Sequence, residues 1–183
     1  ALWKPRVIEH YERGLEQFKD AYAKDALRGL VFANEINLQP LGPAGAGTCL
    51  DFGADNITLP LYREWLKLRF GTIEQFNADA QTHYGAFSLV PWYVSIYPFL
   101  NDAECTDPKI LAVCNRFEPL PNFALLLRLQ DEFCAWLYGR CLADYGRKAK
   151  AVFGDVPVFV TSAGLAGPAE GYLQIQETAL SEG

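Results

Sequence analysis

The chain has 183 residues, half of them hydrophobic and 14% aromatic, which is enough apolar material for one folded domain with a real core and too much for a disordered segment. Sixteen Lys and Arg against 22 Asp and Glu leave a net charge of -6, so neither nucleic acid nor an anionic membrane surface is the expected partner, and a neutral substrate is favoured. The five cysteines, Cys49, Cys105, Cys114, Cys134 and Cys141, are odd in number and have neither CxxC nor His-paired spacing, so neither a disulfide framework nor a metal site is expected. With no apolar run of transmembrane length and no signal-peptide pattern, the expectation is a soluble, cytoplasmic protein with reduced thiols. The chain contains no methionine, and its opening at Ala1 reads as a cut or processed end, or as a sequence from which residues are missing.

From Pro5 to about Lys24, Val7, Ile8, Tyr11, Leu15, Phe18 and Tyr22 recur at helical spacing with charged residues on the other faces, which predicts an amphipathic helix with Pro5 in its first turn. His10 falls on that helix as an exposed residue. A short link then delivers the chain into Leu30-Val31-Phe32-Ala33, an apolar run with the length of a buried parallel strand, which ends in Asn34-Glu35. A core does not accept two such polar groups unpaired, whereas the C-terminal end of a parallel strand is where an enzyme holds a catalytic carboxyl, and partial burial there raises its pKa.

The segment from Gln39 to Gly47 is a Gly/Pro loop whose glycines fit neither GxGxxG nor the P-loop. Leu59 to Phe70 reads as a second helix with Leu61, Trp65 and Leu68 on one side, stopped by Gly71. Thr72 then caps a short helix, with Gln75 three residues on completing a capping box. His83 to Leu100 is irregular and aromatic; Trp92 within it is a candidate sugar-stacking ring, and His83 is a weak catalytic candidate. Asn122 is placed to cap the longest helix, whose period runs through Leu125, Leu126, Leu129, Phe133, Trp136, Leu137, Cys141 and Tyr145 to a stop at Gly154, with Arg147, Lys148 and Lys150 favouring the C-terminal dipole. Cys134 and Cys141 share a face of it but lie too far apart along the axis to bond. Asp155 to Ser162 reads as a second buried strand ending in small polar residues, so that helix, short loop and strand occur twice and imply a parallel sheet.

Three stretches, taken together, resemble glycoside hydrolase family 42, the β-galactosidases of the (β/α)8 retaining glycosidases. Val31 to Glu35 is similar to the fourth strand with its Asn-Glu. Tyr62 to Lys67 with Phe70 to Asn77 is similar to the helical region after it, and Asn122 to Leu127 with Asp155 to Val158 is similar to the next helix and the fifth strand. The resemblance extends over roughly residues 5–162. It implies a central portion of a TIM barrel, with parallel strands near 29–34 and 156–162, the 183 residues forming one incomplete segment of a barrel that normally needs about 250.

The resemblance also implies the chemistry. Glu35 would be the general acid/base and Asn34 would bind the sugar 2-hydroxyl. A retaining enzyme needs a second carboxylate about 5 Å away as nucleophile. Leu173 to Thr178 alternates like a strand, which makes Glu177 the candidate. The expected activity is hydrolysis of β-galactosides or related β-linked sugars by double displacement, with no cofactor, no metal and a carbohydrate as the partner; a homo-oligomer is compatible with it. The alternative is a non-catalytic carbohydrate-binding or structural protein lacking the nucleophile.

Overall fold

A computed structural model of the chain describes residues 3–21, 28–32, 56–93, 119–154 and 156–160. The elements in order are α1 (Pro5–Ala21), β1 (Leu30–Phe32), α2 (Thr58–Phe70), α3 (Ile73–Ala80), a 3-10 turn (Phe87–Leu89), α4 (Phe123–Phe153) and β2 (Val158–Val160). They fall into two compact units, Ala1–Gln39 with Cys134–Gly183, and Pro40–Phe133. The described residues are mostly helical, and their only strands are three residues each, so the expected TIM barrel portion is not what the chain forms. A barrel wall needs a strand before each helix. Between β1 and β2 the described residues contain three helices and a 3-10 turn but no strand, and α4 at 31 residues is far longer than a barrel crossover requires.

In the first unit, Pro5 opens α1 where its missing N–H costs nothing, and the Val7 and Ile8 amides both donate to the Lys4 carbonyl, at 2.9 and 3.1 Å. The apolar stripe of α1 lies on the second part of α4. Leu15, Ala149 and Phe153 form the buried cluster, and Tyr11, Leu30, Val152, Val156 and Val158 pack around it. Tyr11 and Tyr145 stack tilted at 4.4 Å between ring centres, and Phe18 meets Phe153 edge-on at 6.0 Å. Gly154 ends α4 as the sequence predicts: its φ of 72° is open to glycine at no steric cost, and its N–H closes on the Lys150 carbonyl at 2.7 Å.

The second unit is built on aromatic rings. Phe133 of α4 lies 5.3 Å from Tyr62 and 5.9 Å from Trp65, ring centre to ring centre. The buried stripe of α2 is therefore Thr58, Tyr62, Trp65 and Leu66 rather than Leu61, Trp65 and Leu68. Trp65 is common to both readings, but Leu61 is 37% and Leu68 78% exposed, because burying the Tyr62 ring against Phe133 removes more apolar surface from water than burying a leucine. Gly71 stops α2, and Thr72 caps α3 by accepting the Gln75 N–H on its hydroxyl oxygen at 3.2 Å. Asn122 directly precedes α4, with its carbonyl accepting the Leu126 N–H at 3.3 Å, and its side-chain amide donates to the Asp79 carbonyl at 2.8 Å.

The two assignments of the α2 face make opposite demands. Leu66→Ala should lower stability by about 2–5 kcal/mol, and Leu68→Ala should change it by less than about 0.5 kcal/mol. Urea unfolding midpoints of the two variants check this, and a reversed order would restore the leucine face.

Candidate functional site

The described residues place one feature where catalytic groups are commonly presented, the C-terminal edge of a parallel strand pair. β1 runs parallel to β2 in the register Leu30 to Val158, Val31 to Phe159 and Phe32 to Val160. The Leu30 N–H donates to the Pro157 carbonyl at 2.8 Å, just ahead of the ladder. Leu30 and Val158 turn toward the Leu15–Phe153 cluster, and with a period of two Phe159 turns the other way and is 53% exposed. Gly29 makes this approach feasible: a Cβ there would stand 2.7 Å from Cε2 of the Phe159 ring. Both strands thus deliver the chain to the same edge, after which the sequence continues Ala33-Asn34-Glu35 from β1 and Thr161-Ser162 from β2.

Asn34, Glu35 and Glu177 lie outside the described residues. Trp92 lies within them, in the second unit, whereas β1 belongs to the first. The Trp92 ring is half-buried and stands edge-on to Tyr62 at 5.2 Å and to Phe133 at 6.3 Å. Its position follows from its neighbour. Gln130 clamps Tyr93 at both backbone groups, accepting its N–H at 2.5 Å and donating to its carbonyl at 2.9 Å, and the Tyr93 hydroxyl donates to that of Tyr84 at 3.0 Å. Burial, together with that bond, pushes the Tyr93 hydroxyl far above its ordinary pKa, so it is a fixed neutral donor at any working pH. Asn77 finishes this structure, accepting from the Thr82 hydroxyl and the Tyr84 N–H, both at 2.9 Å, while its amide donates to the Tyr84 carbonyl at 2.8 Å.

Sequence reasoning missed the charged cluster beside α1. Lys148, expected only to favour the helix dipole, donates to Glu12 at 2.6 Å and stands 3.6 Å from Asp144, and its pKa is raised first by the Glu12 bond. The Asp144–Lys148 spacing is legible as an i,i+4 pair; Glu12, 136 positions away, has no local signal. The Tyr11 and Tyr145 hydroxyls are pushed up to about 12, chiefly by burial. Among the described residues no group of three or more His, Cys, Asp or Glu is arranged to hold a metal ion, and no helix is long and apolar enough to cross a membrane. No known protein family matches the chain, nor does any characterised protein or solved structure.

Cys134 and Cys141 are thiols rather than disulfide halves, both half-buried on α4. Burial, reinforced by the Asp144 carboxylate, pushes Cys141 up to about 12 against an ordinary 9.0, which holds it as the unreactive thiol. Iodoacetamide at pH 8 should therefore alkylate Cys141 at least about a hundredfold more slowly in the native chain than in urea, as followed by peptide mass spectrometry. Equal rates would mean that the thiol is neither shielded nor raised.

Proposed function

We propose that the chain processes β-linked galactosides, with Glu35 as the general acid/base of a retaining double displacement. The observation that supports this reading is the parallel pairing of β1 with β2, because the sequence runs on from the C-terminal end of β1 through Ala33 into Asn34-Glu35. In the first step Glu35 gives its proton to the glycosidic oxygen as the Glu177 carboxylate attacks the anomeric carbon, so that the aglycone leaves as an alcohol and the sugar is esterified on Glu177. In the second, Glu35, now ionised, takes a proton from water, the water oxygen replaces the carboxylate at the anomeric carbon, and both carboxyl groups return to their starting states. Asn34 donates to the sugar 2-hydroxyl, a contact that strengthens as charge develops on the ring.

The role of Glu35 is tested by hydrolysis of an alkyl β-galactoside, whose alkoxide does not leave without a proton. Glu35→Gln keeps the shape of the side chain and removes its proton, so kcat/KM should fall by about 10²–10⁴-fold. Equal rates for the two proteins would remove Glu35 from the mechanism, and an absence of turnover in the native chain would reject the enzymatic reading. The substitution lies on a polar residue, and an unchanged urea midpoint would separate lost chemistry from lost fold.

A further inference from the structure

A groove of about 450 Å³ in the second unit, remote in sequence from Glu35, is lined by charged, polar and apolar side chains together. Its floor is apolar, made by Phe70, Leu125 and Leu129, with Leu129 buried and the Phe70 ring braced edge-on by Phe76 at 5.3 Å. Its rim is polar. On one side Gln75 is fixed by donating to the Asp79 carboxylate at 2.9 Å. On the other, two guanidinium groups meet one carboxylate: Arg69 Nη2 lies 2.7 Å from Glu132 Oε2, and Arg128 Nε lies 3.5 Å from Glu132 Oε1.

The two arginines differ in what holds them. Arg69 is oriented twice, by Glu132 and by stacking at 5.2 Å over the ring of the buried Trp65. Arg128 is 67% exposed and has only the long Glu132 contact, so its terminal N–H groups have no acceptor among the described residues. A guanidinium presents five donors in a planar fork, and the geometry that spends them in pairs is a carboxylate. Arg69 and Arg128 are balanced by Glu132 and Asp79, so the groove carries no net charge, and what favours a carboxylate is directed pairing with the Arg128 fork rather than bulk attraction. The apolar floor then asks for a body that is flat or hydrophobic.

We propose that this groove binds a small monocarboxylate, its carboxylate on Arg128 and Arg69 and its apolar body on Phe70, Leu125 and Leu129. The proposal is independent of the glycosidase reading, because none of these residues takes part in it. The probe is 3-phenylpropionate, titrated into the 15N-labelled chain and followed by backbone amide shifts. A ligand of this size on an open groove should bind with a Kd of about 1 mM, with the shifts concentrated at Phe70, Gln75, Leu125, Arg128 and Leu129. The uncharged 3-phenylpropionamide, and 3-phenylpropionate with the Arg128→Gln variant, should each bind about tenfold more weakly. Arg128 is exposed enough for that variant to fold, and its unligated amide spectrum verifies that it does. Equal affinities for acid and amide, an unaffected Arg128→Gln variant, or shifts confined to other residues would each overturn the proposal, as would no shifts at about 10 mM probe.

Discussion

Both compact units depend on the burial of aromatic and small side chains along one helix, α4. Its first part places Phe133 among Tyr62, Trp65 and Trp92; its last turns place Ala149 and Phe153 against Leu15. Each full burial of an aromatic side chain there contributes about 1.5–3 kcal/mol, far more than the partly exposed ion pairs such as Arg147 with Asp144. Along α4 the buried positions include Leu126, Leu129, Phe133, Leu137, Leu142, Tyr145 and Phe153, spread around more than one face. A helix buried on several sides cannot present a single apolar stripe.

In the first unit this packing is also what seats the strands. A three-residue ladder has too few hydrogen bonds to persist by itself. Leu30 and Val158 hold it by joining the cluster that Phe153 closes, and Gly29 gives the Phe159 ring room to lie over the incoming chain. Any function assigned to the residues after Phe32 therefore rests on contacts made by α1 and the end of α4.

Local signals in the sequence were legible where they act through the backbone. Pro5 opens α1, Gly71 stops α2, Thr72 caps α3 and Gly154 ends α4, because each of these residues is chosen by a φ value or an unsatisfied N–H that the sequence itself displays. Facing was less legible. Counting leucines put Leu68 in the core, and the ring of Tyr62, with its polar tip but large apolar body, took that place instead. Architecture was least legible. Two helix-and-strand repeats fit a barrel, but they fit a two-stranded ladder packed on helices equally well, because a short apolar run carries no information about how many neighbours it will have. Of the candidate site, the strand leading to Asn34-Glu35 could be read, while the pairing of Lys148 with Glu12 and the meeting of Arg69 with Glu132 arise from tertiary contacts that no periodicity encodes.

The central claim is that the α1–α4 core seats β1 on β2, and it is tested most directly by amide hydrogen exchange at Leu30, whose N–H is bonded to the Pro157 carbonyl. In the native chain this amide should be protected, and Phe153→Ala should bring its exchange close to the unfolded rate while the Phe76 amide, bonded to Thr72 in the other unit, keeps its protection. A Leu30 amide that exchanges freely in the native chain, or one that stays fully protected in Phe153→Ala, would contradict this account.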